Sequence, residues 1–276
     1  MKLHYSTYGM KELDVHEALP RLADMGYQGM EIAVTPGWPT EPAQMDAAAR
    51  QKLAALCRRL GFATPAIMAL LSPCVPGEGR AAALAQFEAT FDLARDLKID
   101  DRAPVVSTTL GHPRPQWDGG KEEIAELLLE VADMAAGRGC ILAVEPHAGD
   151  DFETPEKAVW LMQRTNHEHL KLNFDYSHFW VEGIDLNHAI ELNLPYAAHN
   201  HIKDGFLDGE GRVNYLLPGD GGLDVPAYFK AMRAAGWDSY ICPEVTGQIW
   251  SRDDYEPWAA AQFCFEALDA ARRALG

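Results

Sequence analysis

An apolar run, Leu170-Lys171-Leu172-Asn173-Phe174, rises to Asp175, and His178 follows one helical turn further on. Its length suits a short buried strand, and a packed core has no use for a carboxylate and an imidazole at its end. A loop cap and a surface histidine would account for that pair taken alone. Three more segments carry the same signature, however. Cys140 to Val144 runs into Glu145, Ala197 to Asn200 into His201, and Ser239 to Pro243 into Glu244. Three carboxylates and one imidazole suit a divalent cation that prefers oxygen and nitrogen donors. Mn²⁺, Mg²⁺ and Co²⁺ fit ahead of a thiolate-loving metal, and Zn²⁺ stays open. One acidic strand end is unremarkable; four in succession are hard to ascribe to solvation.

Groups so far apart in the chain can meet only if a scaffold gathers strand ends at one face. The first apolar run, Leu3 to Tyr8, is followed by Val15, Leu19, Leu22 and Met25 at helical spacing, with Gly26 as a C-terminal cap. Pro20 inside this segment argues against a regular first turn. Gly29 to Val34 is the second strand, with a helix from about Met45 to Leu60. Pro65 to Leu71 and Pro104 to Thr109 are the third and fourth strands, with a helix from Glu78 to Leu97 between them. Ile124, Leu127, Leu128, Val131 and Met134 form the amphipathic stripe of the fourth helix. The helix after Glu145 opens at Thr154-Pro155, a cap followed by a first-turn proline. A helix from Asp185 follows the Asp175 strand, Ala197 to Asp204 is the seventh strand, and Tyr255 to Leu275 is the last helix. The Gly- and Asp-rich stretch from Gly205 to Gly222 reads as a surface loop over the mouth of a site.

Eight strand-then-helix units in 276 residues predict an α/β chain folded as a single (β/α)8 TIM barrel, one domain over 1–276. A doubly wound sheet is the alternative, but no Gly-rich phosphate fingerprint follows the first strand. In a barrel, the C-terminal ends of the parallel strands share one mouth, which brings Glu145, Asp175, His201 and Glu244 together.

The bulk composition narrows the setting. A net charge of -17 argues against nucleic acid or an anionic membrane as partner, and 47% hydrophobic residues supply a sizeable core. No stretch has the apolar length of a span, and Met1-Lys2-Leu3 leads straight into strand-like sequence rather than a signal region. Five scattered cysteines with no CxxC pair fit a reducing cytoplasm.

Ala143-Val144-Glu145-Pro146-His147, Asn173 to His178, His199-Asn200-His201-Ile202-Lys203-Asp204 and Pro243-Glu244-Val245 resemble motifs of the xylose isomerase-like barrel superfamily. The resemblance is nearest to its sugar phosphate isomerase/epimerase group, which includes tagatose 3-epimerases, hydroxypyruvate isomerases and inosose dehydratases. Leu217 to Asp224 is similar to that group's loop before the seventh helix. The resemblance implies that Glu145, Asp175, His201 and Glu244 bind one divalent metal ion, that Glu145 and Glu244 also exchange protons with substrate, and that His178 contacts a substrate oxygen. The expected partners are a small sugar or cyclitol as substrate and a second copy of the chain in a homo-oligomer, dimer or tetramer.

Such a site can remove a proton beside a carbonyl, because a metal on the substrate oxygens stabilises the resulting enediolate. Return of the proton to the other face of the same carbon is epimerisation; return to the neighbouring carbon is isomerisation. Lys203 shares strand parity with His201 and could meet a developing oxyanion or pair with a carboxylate. His147 could orient substrate. Trp38, His112, Trp180, Gln248 and Trp250 fall just beyond strand ends and are candidate pocket walls. A dehydratase is the nearest rival, since the same enediolate can expel a β-hydroxyl. A non-catalytic sugar-binding or subunit-partner role is a third possibility. An apurinic-site endonuclease would need a histidine after the third strand and another within 205–222, and this sequence has neither.

Overall fold

Strand alternation shapes the molecule. In the computed structural model, which describes all residues from Met1 to Gly276, eight parallel strands close into a barrel. They are β1 (Lys2–Ser6), β2 (Gly29–Ala33), β3 (Ala66–Met68), β4 (Val105–Thr108), β5 (Ile141–Val144), β6 (Leu170–Asp175), β7 (Ala197–Ile202) and β10 (Tyr240–Pro243), with β10 closing between β7 and β1. The remaining two, β8 (Asp204–Leu207) and β9 (Val213–Leu216), form an antiparallel hairpin outside the barrel. This corrects the expected surface loop: the segment after β7 is an ordered two-stranded wall.

Outward-facing residues such as Leu3, Ile32, Leu142, Leu172 and Ile241 are buried against the helices in one continuous apolar core. The helices are α1 (Val15–Met25), α2 (Ala47–Arg59), α3 (Arg80–Asp96), α4 (Trp117–Ala136), α5 (Pro155–Thr165), α6 (Tyr176–Val181), α7 (Leu186–Asn193), α8 (Val225–Ala234), α9 (Gly247–Trp250) and α10 (Pro257–Arg273). Pro20 lies inside α1 without breaking it. The helix is instead bounded by Asp14, whose carboxylate accepts from the His16 N–H, and by Gly26 at φ 111°. None of the helices is long and apolar enough to cross a membrane.

The barrel interior is polar, unlike the layers of branched apolar side chains usual in this architecture. His4, Ser6, Glu31, Ser107, Asn173, His199 and His201 are all buried there. Glu31 of β2 meets His201 of β7 across the barrel at 2.9 Å, so both point to its axis. Such groups are costly to bury without partners; Ser107, Asn173, His199 and His201 find them, while both ring nitrogens of His4 do not. That cost ties the column of polar side chains to the site above it.

Candidate metal and substrate site

Two of the four predicted ligands sit one residue past their strands and are fixed by continued ladder bonds. Glu145 N–H donates to the Thr108 carbonyl (2.9 Å), and Glu244 N–H to that of Ile202 (3.0 Å). Asp175 ends β6 and caps α6: its Oδ1 accepts from the Ser177 backbone N–H at 2.9 Å and from the Ser177 hydroxyl. The cap leaves Oδ2 free for the site and places His178 in the first turn of α6, a helix not expected from the sequence.

These side chains converge. Glu145, Asp175, His178 and Glu244 each offer a ligand atom within 4.8 Å of the others, and all are buried. His201 Nδ1 lies 3.2 Å from Glu145 Oε2 and 3.7 Å from Glu244 Oε2. Asn173 donates to Glu145 Oε2 and its amide nitrogen is 2.9 Å from His201 Nδ1. The Lys203 ammonium donates to Asp175 Oδ2 and to Glu244 Oε2, the latter at 2.5 Å, and stands 3.7 Å from Glu145 Oε1.

Two imidazoles therefore compete for the role of nitrogen ligand, and hydrogen bonding separates them. His178 Nδ1 accepts from the Ala148 backbone N–H at 3.2 Å and lies 2.8 Å from the Tyr215 hydroxyl. A nitrogen accepting from a backbone amide carries no proton, so in the neutral ring the proton sits on Nε2. That Nε2–H points at Glu145 Oε1, 2.8 Å away, and has no lone pair for a metal. His201 has the opposite arrangement. Its Nε2 faces both oxygens of Glu31 at 2.9 and 3.0 Å, and its Nδ1 is aimed at the carboxylates. An imidazole held by an acid on one nitrogen, with the other turned toward carboxylates, has the orientation usual for a metal-binding histidine.

Electrostatics agree with a cation here. Burial opposes charge on His201, but Glu31 and Glu145 outweigh it and hold its pKa well above the ordinary histidine value. Burial opposes charge on Lys203 too, and Asp175, Glu244 and Glu145 more than reverse this. Burial would raise the Glu145 carboxyl, yet Lys203, His178 and His201 hold it well below the usual range. A buried excess of negative charge thus gathers every cation within reach. The donor set, three carboxylates and the Nδ1 of His201, fits a divalent ion of the Mn²⁺, Mg²⁺ or Zn²⁺ type.

Beside these groups lies a cavity of about 290 Å³, lined among others by Glu145, Glu244, Lys203, His147, Tyr215 and Gln248. His147 Nδ1 is 2.8 Å from the Ala148 carbonyl, and burial, followed by His178 and Lys203, lowers its pKa to about 3. It therefore lines the cavity as a neutral ring. Gln248 fastens the hairpin, accepting from the Tyr215 N–H at 2.9 Å and donating to the Val213 carbonyl at 3.0 Å. His178 is wholly buried behind Glu145 and does not line the cavity. Trp38 stacks on Tyr8 and meets Trp250 edge-on at the outer rim, while Trp180 donates to the Gly205 carbonyl behind the hairpin. His112 is exposed, with Nε2 3.6 Å from Asp150. Trp38, Trp180, Trp250 and His112 thus stand apart from the cavity lining.

Sequence reasoning missed Glu31, Asn173, Tyr215 and Tyr8. Glu31, fully buried, takes His199 Nε2 at 2.8 Å as well as His201, and accepts from the Ser107 hydroxyl at 2.9 Å. An acid in the middle of the apolar segment Gly29-Met30-Glu31-Ile32 was its visible signal.

Residues 19–264 match the xylose isomerase-like TIM barrel family, and the chain belongs to it. It is 26% identical over 141 residues to an inosose dehydratase of Geobacillus thermodenitrificans, covering 45% of this chain and 47% of that one. It is 29% identical over 137 residues to an inosose isomerase of Bacillus velezensis, covering 45% and 48%. The matches thus span about half the length of these curated relatives. The structure resembles D-psicose 3-epimerase of Clostridium cellulolyticum (TM-score 0.79, 18% identity, 100% and 99% of the two chains). It also resembles the IOLI protein, whose crystal structure holds a zinc atom (TM-score 0.77, 18% identity, 99% and 97%). At such identities the structural likenesses establish the fold. The relatives are enzymes: epimerases, isomerases and dehydratases.

Proposed function

We propose that the chain is a divalent-metal-dependent isomerase or epimerase of a small keto-sugar or cyclitol. The observation that carries this is the convergence of Glu145, Asp175 and Glu244, with His201 Nδ1 3.2 Å from Glu145 and 3.7 Å from Glu244, beside a cavity that Glu145 and Glu244 line. These four would hold the ion, and a bound divalent metal would supply Lewis-acid polarisation of the substrate carbonyl. Glu145 and Glu244 come from strands on different sides of the mouth and can address two faces of a bound sugar. One takes the proton beside the carbonyl and the other returns it. His178 and Asn173 hold Glu145 by its two oxygens, so the carboxylate keeps one orientation while it does so. No arginine lines the cavity, which favours a substrate without phosphate. Five buried free thiols suit a reducing compartment such as the cytoplasm.

The test is a panel of ketoses, aldoses and inososes with Mn²⁺ in D₂O, read by NMR. Deuterium should enter a substrate carbon, and Glu145→Gln and Glu244→Gln should each slow this by about 10²-fold or more. Exchange unchanged in both variants would remove the mechanism. Dehydration is the second reading, favoured by the inosose dehydratases among the relatives and by a lysine at the carboxylates that could act as the acid. A product lighter by one water would establish it.

A further inference from the structure

Lys203 is among the largest side chains buried anywhere in the molecule, and it follows β7 directly. Its ammonium has no solvent to pair with. It is satisfied by Asp175 Oδ2 and Glu244 Oε2, with Glu145 Oε1 third at 3.7 Å. These are the same three carboxylates that the proposed function assigns to the metal, and the inference rests on that assignment. Two cations drawn to one set of oxygens repel each other strongly where water is excluded. The ammonium has one direction left to it. Lys203 lines the cavity, and its Nζ lies 5.2 Å from the centroid of the Tyr215 ring on the cavity wall.

We infer that Lys203 and the divalent cation compete for the Asp175 and Glu244 carboxylates, so that Lys203 sets how tightly the site holds its metal. Cation entry releases the ammonium from these oxygens toward the cavity, along the face of Tyr215. The same side chain thus neutralises the carboxylates when it holds them and faces substrate when it does not. Lys203 is in this sense a residue that determines metal affinity, apart from any part in proton transfer.

The test is a calorimetric titration of the 276-residue chain with Mn²⁺ after treatment with chelator, comparing wild type with Lys203→Met and with Lys203→Gln. Either neutral variant should bind Mn²⁺ roughly tenfold or more tightly than wild type, since the carboxylates then lack their buried partner. Affinity equal to or weaker than wild type in the folded variants overturns the inference. Failure of all three proteins to bind Mn²⁺ strikes instead at the metal reading of the site, and takes this inference with it. A second measurement needs no variant. Reductive methylation of wild type, read by peptide mass spectrometry, should label Lys203 faster when Mn²⁺ is added. Labelling that stays the same or slows counts against competition.

Discussion

Glu31 touches neither cavity nor carboxylate cluster, yet the cluster depends on it. Fully buried on β2, its oxygens take His201 Nε2 at 2.9 and 3.0 Å, His199 Nε2 at 2.8 Å and the Ser107 hydroxyl at 2.9 Å. Burial would raise its pKa, but His201 and His199 hold it well below the ordinary carboxyl value, so it is charged across the working range. Glu31→Gln keeps the shape and removes the charge. The amide has one acceptor oxygen for two imidazoles, and its NH₂ turns a donor toward whichever ring is left. Hydrogen bonds to a charged group contribute about 1.5–3 kcal/mol each, and breaking a buried pair costs about 3–5 kcal/mol in all. Stability to urea should fall by about that amount. Loss of the group orienting a histidine ligand typically costs about 10–100-fold in metal affinity. Mn²⁺ titration of Glu31→Gln should show a loss in that range. Ser107→Ala is the control: it deletes one neutral hydrogen bond, about 1 kcal/mol, and leaves both imidazoles on the carboxylate. A folded Glu31→Gln protein that binds Mn²⁺ as wild type does would refute the role of Glu31. So would a Ser107→Ala protein that loses as much affinity as Glu31→Gln.

Three further outcomes follow from the structure. Tyr215→Phe removes the hydroxyl 2.8 Å from His178 Nδ1 and should lower kcat about tenfold with little change in KM, in line with about 1–1.5 kcal/mol for one hydrogen bond. Gln248→Ala frees the hairpin that carries Tyr215, so the double variant should lose much less than the sum of the two; strict additivity would mean that the hairpin does not act through Tyr215. His4 is fully buried, stacked on Tyr240 at 3.6 Å, with neither ring nitrogen hydrogen-bonded. Burial, then His199, holds its pKa well below the ordinary value. The unfolded chain therefore gains a proton below about pH 6.5 that the folded chain refuses, and stability drops as pH falls through that region. His4→Leu should make the decline between pH 6.5 and 5 shallower by up to about 1.4 kcal/mol per pH unit, seen by urea unfolding at each pH. An unaltered slope would show that His4 takes up its proton in the folded state.

What the sequence makes legible here, and what it hides, follows from how each residue is satisfied. The barrel is legible because eight apolar runs, each paired with a helical stripe, leave few other ways to bury their outer faces. Glu145, Asp175, His201 and Glu244 are legible because each ends such a run, where a core has no use for it. Glu31 is hidden for the opposite reason. It lies inside β2, and its partners Ser107, His199 and His201 come from strands far along the chain, so no local pattern announces that a buried acid is satisfied. Tyr215 is hidden because β8 and β9 are four residues each, too short for a period, and their pairing hangs on the turn at Asp208-Gly209-Glu210-Gly211. Trp38 and His112 follow strands as closely as Gln248 does, but distance past a strand end does not say which way a loop turns. The strands themselves carried more than their apolar content. On β1, β2, β4, β6 and β7 polar residues, His4, Ser6, Glu31, Ser107, Asn173, His199 and His201, face inward, where the usual barrel has branched apolar side chains. A barrel with a polar axis needs each layer to satisfy the next, from His199 on Glu31, through Glu31 on His201, to His201 beside Glu145 and Glu244. The lower layers therefore belong to the chemistry of the mouth as much as its rim does.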